Sequence, residues 1–347
     1  MIIEKYYSLK KFNTFGINTY TRYFTIVKSI NDFKKIFHIY KSIPKMILGN
    51  GSNILFLKEY YPGLVIKMEI KGIKIVYENK FQVIIKANCG ENWDDLVKWT
   101  IKNEFNGLEN LSFIPGTVGV APIQNIGAYG SEIKDILLKV RVYEIKSKKI
   151  IEFSNIKCEF GYRNSFFKKN FSKNKYIVLS VFFILRKKKY HKYNLSYLAL
   201  QKELNLLNIK KPNSNDIIKI ILSMRNKKIP HPKKIGNAGS FFMNPIIKKY
   251  HFKKLKINHP NIIGYPIYNN KNEIKISASH LIEYTGWKGI RIGDVGISEK
   301  NPIILLNYGL ASGMDIFYIS EKIIFDIKKK FGIYLSREVE IIDDFYH

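Results

Sequence analysis

Ser240, Arg163 and Glu338 are the side chains of this sequence best placed to move protons and steady charge. In Gly236-Asn237-Ala238-Gly239-Ser240-Phe241-Phe242-Met243-Asn244-Pro245 a hydroxyl lies between flexible glycines and bulky apolar residues. A desolvated Ser240 held against a ligand suits proton transfer, whereas a helix cap is the plainer use of such a serine. The G-x-S-x-G pattern of a nucleophile elbow is absent, which counts against a serine hydrolase. Gly161-Tyr162-Arg163-Asn164-Ser165 puts a guanidinium in a loop-like stretch. It is a planar fork matched to a carboxylate or, without a ligand, half of a surface salt bridge. Arg337-Glu338-Val339-Glu340-Ile341-Ile342 alternates charge with aliphatic residues, as a half-buried strand over 334–342 would. Turned inward, Glu338 needs a partner, so it is either part of a structural ion pair or an acid/base group.

Two further stretches offer backbone rather than side chains. Residues 109–132, ENLSFIPGTVGVAPIQNIGAYGSE, contain no Lys or Arg in a chain of net charge +30. Gly116, Gly119, Gly127 and Gly130 permit close approach or positive φ, Pro115 and Pro122 stiffen the path, and Gln124 and Asn125 can read a planar heterocycle from its edge. A turn-rich connection between strands is the competing reading. Gly49-Asn50-Gly51-Ser52-Asn53 follows an expected strand and can form an anion-binding nest. It is not a Rossmann loop: the third glycine is missing, and ILFLKEYYPGLVIK continues as strand and turn, not helix.

The elements that must carry these motifs follow from periodicity. Strand-like runs at 24–27, 45–48 and 63–68 flank an amphipathic helix through Phe33, Ile36, Phe37 and Tyr40, making a small α/β unit. Strands dominate from 71 to about 224, at 73–77, 81–87, 139–145 and 176–185. A helix with the apolar stripe Trp93, Leu96, Val97, Thr100 and Ile101 interrupts them. KPNSND at 211–216 marks a domain boundary and ends in Asp216, expected to cap a helix over 217–226. A short helix from Ser279, a strand at 303–307 and a helix over 315–331 stopped by Gly332 fill the last third.

Composition bounds the partners. With 347 residues, 46% of them hydrophobic, the chain supports two or three domains with a substantial core. Cys89 and Cys158 lack metal-ligand spacing and allow at most one disulfide, so a reducing cytoplasm is expected and a metal is not. The N-terminus lacks a secretory h-region, and the most apolar run is about half the length of a membrane-spanning helix. The 58 basic against 28 acidic residues are spread along the whole chain without a nucleic-acid-binding motif. Nucleic acid is therefore not an expected partner, while anionic cofactors and substrates are drawn in.

Taken in order, Asn13-Thr14-Phe15-Gly16-Ile17, the 49–53 loop, IPGTVGVAPIQNIGAYGSE, GYRNSFFK, GNAGSFFMNP and REVEII resemble the UDP-N-acetylenolpyruvoylglucosamine reductase family, flavoenzymes of peptidoglycan synthesis. Six motifs in one order over nearly the whole chain are far more specific than any one alone. The resemblance implies an α+β protein with an FAD-binding unit of PCMH or vanillyl-alcohol-oxidase type. Two α/β subdomains, 1–70 and 71–225, would form that unit. An α+β substrate-binding domain over 226–330 and a C-terminal strand within 331–347, carrying Glu338, would complete it.

By the same resemblance, Gly49, Asn50, Gly51, Ser52, Asn53, Pro115, Gly116, Thr117 and Gly119 would hold the diphosphate of a non-covalent FAD. Gln124, Asn125, Gly127 and Ala128 would run along it. NADPH would give hydride to the flavin and leave. Enolpyruvyl-UDP-N-acetylglucosamine would then enter the same pocket and be reduced to UDP-N-acetylmuramate. Ser240 matches the family's proton donor, and Arg163 and Glu338 its charge-stabilising pair. Tyr162, Arg225, Lys228 and Asn244 match substrate contacts. The segment 189–200 looks like the insertion of the longer, type I form, whose loop tyrosine would be Tyr197. His231 stands where an acidic residue is expected and Met243 where lysine is common, departures that bear on nucleotide contacts rather than reaction type. A cytoplasmic monomer, without membrane or nucleic-acid partner, is the expectation. The same fold also serves FAD-dependent alcohol oxidases and dehydrogenases. The lack of a flavin-attaching His or Cys motif, and the presence of Ser240 with Glu338, disfavour that alternative.

Overall fold

The computed structural model describes residues 2–169, 175–267 and 270–343. The first lobe contains β1 (Ile3–Ser8), β2 (Tyr20–Val27), α1 (Ile30–Ile39), β3 (Lys45–Leu48), β4 (Ile54–Phe56) and β5 (Tyr60–Met68). Its sheet has the order β1-β2-β5-β3, with β2, β5 and β3 parallel and β1 antiparallel at the edge. Parallel neighbours need a crossover, and α1 lies in the one between β2 and β3. Ser29 caps α1 by accepting from the Asp32 amide, and Phe33 and Ile36 bury its inner face. β4 follows the 49–53 loop directly, as expected of a loop that does not open a helix.

The second lobe contains β6 (Ile73–Glu78), β7 (Gln82–Asn88), α2 (Trp93–Lys102), β8 (Phe105–Asn106), β9 (Gly127–Ala128), β10 (Ser131–Glu132), β11 (Leu137–Glu144), β12 (Lys149–Ser154), α3 (Phe166–Lys169) and β13 (Tyr176–Lys187). The helices α4 (Leu198–Leu206) and α5 (Ser214–Lys228) follow. Its main sheet is antiparallel in the order β12-β11-β13-β7-β6. β7 alternates strictly, with Val83, Ile85 and Ala87 fully buried against α2 residues Trp93, Leu96 and Val97. β13 is buried along most of its length because it serves two cores. A register shift pairs Arg141 with Ser180 but Val142 with Val178, leaving Leu179 unopposed. Ile177 and Leu179 join Val27, Phe33 and Ile36 between the lobes, while Val181, Phe183 and Leu185 fill the second lobe.

The third unit contains β14 (Ile246–Lys248), α6 (Lys249–Asn258), β15 (Gly264–Ile267), β16 (Asn270–Ile276), α7 (Ala278–Tyr284), β17 (Arg291–Ile292), β18 (Val295–Ile297), β19 (Leu305–Asn307), α8 (Gly313–Phe331) and β20 (Glu340–Ile342). Ser312 and Asp315 form a capping box at the start of α8, and Gly332 at φ +64 stops it. Ile316, Ile319, Ile323 and Ile327 make its buried stripe. They share one apolar core with Leu9, Phe15, Phe24 and Leu55 of the first lobe. β20 crosses back to pair in parallel with β4, setting Glu340 opposite Ile54 and Ile342 opposite Phe56.

Two expectations need correction. The helix after KPNSND starts at Ser214 and is capped by Asn213, whose side chain accepts from the Asn215 and Asp216 amides. Asp216 is the return half of that capping box, donated to by the Asn213 amide at 2.9 Å. The strand expected over 334–342 is ordered as strand only from Glu340. The amides of Glu338 and Val339 both turn to the Phe241 carbonyl, so the chain bends there to meet the serine loop before joining β4. Residues 344–347 of the expected C-terminal segment lie outside the described residues.

The turn at 13–15 fastens these pieces together. Asn13, 6% exposed, donates to the Leu9 and Ile17 carbonyls and accepts from the Ile17 amide, closing the turn on itself. The Thr14 amide donates to Gly51 O and Thr14 O accepts from the Asn237 amide, each at 3.0 Å, while Asn307 Nδ2 donates to Phe15 O at 2.9 Å. Replacing Asn13 by Ala strands three buried backbone groups. A loss of stability of about 1–3 kcal/mol is expected, read as a lower urea midpoint at unchanged slope.

Candidate active site

A cleft of about 910 Å³ is lined by residues of all three units. At one end two glycine loops lie side by side. Asn50 Nδ2 donates to Gly116 O (3.1 Å), Ser52 Oγ to Pro115 O (3.0 Å) and Asn53 Nδ2 to Gln124 Oε1 (3.0 Å). Gly51 has φ +60, and a Cβ there would run into the Phe12 carbonyl. A Cβ on Gly49 would meet the Val120 side chain at 2.9 Å, so its absence lets the two loops approach. Among the described residues, the amides of 50–53 and of Gly116 and Thr117 donate to no protein acceptor. Successive unpaired amides form an anion nest, which is what the diphosphate of a dinucleotide requires, so these loops fit FAD.

Beside Asn53, whose Nδ2 also donates to Glu338 O at 3.0 Å, the cleft is charged. Arg163 Nε donates to Glu338 Oε1 at 2.8 Å, and its Nη2 donates to Gly127 O at 2.7 Å. Both partners of this pair are largely buried, their side chains 19% and 13% exposed. Burial pushes the Glu338 carboxyl above its ordinary range, with Arg163 pulling in the opposite direction. Burial also works against the charge on Arg163, but Glu338 and Tyr162 more than offset it, and the guanidinium pKa is raised. Arg163 itself takes φ +50 in a tight loop closed by the Gly161–Asn164 bridge. Lys168 also lines the cleft, 3.4 Å from the Arg163 carbonyl.

Ser240 lines the same cleft as Arg163 and Glu338. Its neighbours hold it there through backbone. Glu338 N donates to Phe241 O (2.8 Å), Met243 N to Ser336 O (2.9 Å) and Phe241 N to Ile303 O (2.8 Å). Phe241 and Phe242 are fully buried, so the loop is anchored by two aromatic side chains with the serine beside them. The Ser240 hydroxyl has no hydrogen-bond partner among the described residues, which leaves its proton available.

The other sequence-derived residues fall into two groups. Gly49, Asn50, Gly51, Ser52, Asn53, Pro115, Thr117, Gly119, Gln124, Gly127, Ala128 and Arg225 line the cleft. Asn125 stands behind the wall: fully buried at φ +48, it donates to Glu132 Oε2 (3.0 Å) and Gly161 O (2.9 Å) and so ties the 124–128 strip to the arginine loop. Tyr162 hydrogen-bonds Asn244, and burial raises its hydroxyl pKa. Tyr197 precedes α4 and meets Tyr129 edge-on at 5.5 Å. Lys228 is exposed at the end of α5, outside the lining. His231 lines the cleft, whereas Met243 does not.

Three residues went unmarked in the sequence. The Tyr129 hydroxyl hydrogen-bonds Arg225, whose own pKa burial pushes down. Lys275 Nζ sits 4.9 Å from the Tyr162 ring centre, and Lys168 stands beside Arg163. Tyr129 lies inside the stretch 109–132, free of Lys and Arg, where its neighbours were the signal. Lys275 and Lys168 look like any of the chain's many lysines. Among the described residues no helix is long and apolar enough to cross a membrane, and no cluster of three or more His, Cys, Asp or Glu could hold a metal.

Comparison with known proteins converges with this geometry. Residues 21–154 match an FAD binding domain profile, and residues 231–342 match the C-terminal domain profile of UDP-N-acetylenolpyruvoylglucosamine reductase. The chain is 41% identical over 342 residues to the Flavobacterium johnsoniae UDP-N-acetylenolpyruvoylglucosamine reductase, covering 99% of this chain and all of that one. It is 43% identical over 341 residues to the Buchnera aphidicola reductase, covering 97% and 99% of the two chains. The crystal structure of the Thermus caldophilus reductase matches with TM-score 0.66 over 99% of this chain and 100% of that one, a likeness of fold at 23% identity. The expected α+β architecture, an FAD-binding unit followed by a distinct C-terminal domain, is borne out, and the chain belongs to the UDP-N-acetylenolpyruvoylglucosamine reductase family.

Proposed function

We propose that this chain reduces enolpyruvyl-UDP-N-acetylglucosamine to UDP-N-acetylmuramate in peptidoglycan precursor synthesis, with NADPH as hydride source and FAD held in the cleft. The observation that carries the reading is the arrival of Arg163, Glu338 and Ser240 in one cleft with the amide-lined glycine loops. When bound, FAD would supply hydride transfer from NADPH to the terminal vinyl carbon of the substrate. Alignment and charge come from the protein. With Nε on Glu338 and Nη2 on Gly127 O, Arg163 keeps its Nη1 hydrogens for a ligand carboxylate. As the vinyl carbon becomes a methyl, the π electron pair moves to the adjacent carbon and its carboxylate. A guanidinium fixed at that place stabilises the developing charge, and Glu338 fixes it. Ser240 then gives its proton to the adjacent carbon. Serine is a weak acid, but such a carbon is far more basic than the alkoxide left behind, which recovers its proton from water. One hydride and one proton have then crossed one double bond.

Around this centre Arg225 is assigned to the anionic groups of the nucleotide ligands, Tyr162 and Asn244 to the substrate face, and Lys228 to the outer rim. Tyr197 is read as the loop tyrosine of the type I form, closing from the insertion after β13. The division into 1–70, 71–225, 226–330 and the C-terminal segment serves that reading, with α5 carrying the second lobe on to Lys228. A monomer working in the cytoplasm, where NADPH and nucleotide sugars are held, completes the assignment.

Ser240→Ala should leave reduction of the flavin by NADPH within about twofold of the parent and slow reoxidation by substrate roughly 10²–10⁴-fold. Anaerobic stopped-flow absorbance separates the two steps; equal loss in both would remove Ser240 from the proton-donor role. Arg163→Met leaves Glu338 buried without its counter-charge, at a cost of about 3–5 kcal/mol in urea unfolding. With the lowering influence of Arg163 gone, the folded-state pKa of Glu338 rises further above its unfolded value. Stability of that variant is therefore greatest at acid pH and declines as pH climbs through the raised pKa. The double change with Glu338→Gln should recover most of the stability and none of the activity. Activity restored along with stability would make the pair purely structural.

A further inference from the structure

Lys67, in the middle of the first lobe, takes no part in the chemistry above. It is 7% exposed on β5, directly behind the 49–53 loop. Its Nζ donates to Gly49 O at 2.7 Å and to Asn50 Oδ1 at 2.9 Å. Among the described residues no carboxylate lies within ion-pair distance of it, and Glu69 is the strongest of the charges that favour its protonation. A buried ammonium without a counter-ion is expensive, so its position calls for an anion close by. The loops in front of it hold the six unpaired amides described above, and neither 49–53 nor 113–119 contains a cationic side chain. The Asn50 amide group is also oriented by this contact. With its Oδ1 taken by Lys67, Asn50 presents Nδ2 to Gly116 O, so one ammonium fixes the first loop and, through Asn50, its link to the second.

We propose that Lys67 is a positioning residue for the cofactor's diphosphate: a buried charge behind the 49–53 loop that holds both cradle loops in register and supplies the cation that the amide nest lacks. This rests on the reading of the cleft as an FAD site and adds to it a determinant of affinity that touches neither FAD nor substrate. Burial lowers the pKa of this ammonium, and two of its three hydrogens are held by the Gly49 and Asn50 oxygens.

The test is FAD retention by the holoenzyme, read as the gain of free-flavin fluorescence on serial dilution. Lys67→Gln keeps a donor for Gly49 O without charge, and Lys67→Arg keeps the charge. Lys67→Gln should raise the FAD Kd about ten- to a hundredfold, the range of one unit charge several ångströms away in a partly buried site, and should flatten its dependence on salt. Lys67→Arg should restore retention to within about threefold of the parent. A Gln variant that holds FAD as tightly as the parent, with the same salt slope, overturns the proposal, as does an Arg variant no better than Gln. Should the Gln variant not fold, the parent holoenzyme decides: ADP should displace FAD at least about tenfold better than adenosine, the advantage shrinking with salt. Equal displacement by the two overturns the proposal. A parent chain that carries no flavin at all would instead sink the FAD reading itself.

Discussion

The turn at Thr14 is the constraint on which the cleft depends. Its amide holds the 49–53 loop through Gly51, its carbonyl holds the serine loop through Asn237, and the next carbonyl, on Phe15, holds Asn307. The 49–53 loop and the serine loop are about 190 residues apart in sequence, and a single buried turn sets their separation. That is why Asn13, whose side chain closes the turn, is sunk in the core although it is polar and reacts with nothing. The shared apolar core of the first lobe and the C-terminal domain has the same effect on a larger scale. Two units that share a core cannot drift independently, so the two sides of the cleft they form stay in register.

The acid side of the site is built by the opposite strategy. Glu338 reaches Arg163 across the cleft because β20 returns to the first lobe and pairs with β4, while the preceding two amides bend to Phe241. One short strand thus brings the carboxylate to both the guanidinium and the serine loop. The register matters: Glu338, Glu340 and Ile342 line the cleft, while Val339 faces the core. A slip by one residue would bury both carboxylates in hydrocarbon and expose valine, an outcome that burial energetics forbids.

Much of this was legible in the sequence because it is local. Glycine loops, the serine between glycines and aromatics, the arginine loop and the helix stop at Gly332 all carry their signal within a few residues. The stretch 109–132, free of Lys and Arg, was legible by contrast with its lysine-rich surroundings. Other features lie in pairings that no window contains. The Glu340–Ile54 pairing and the Asn53–Glu338 hydrogen bond span 286 and 285 residues, and nothing near either end announces the other. The strand expected from 334 failed for that reason, since the alternation is real but the backbone of 338–339 is claimed by Phe241. Lys67, Lys168 and Lys275 were illegible for a different reason: in a chain with 58 basic residues, a lysine's identity says little and its burial says everything.

Cys89 shows what burial does to a group that must stay silent. It lies in the cleft wall, and loss of solvation pushes its thiol up to about 12. At neutral pH the reactive thiolate is then roughly one molecule in 10⁵. Flavins that leak electrons to oxygen release peroxide where they sit, and sulfur oxidation proceeds through the thiolate. Burying the sulfur in the wall keeps it out of that chemistry.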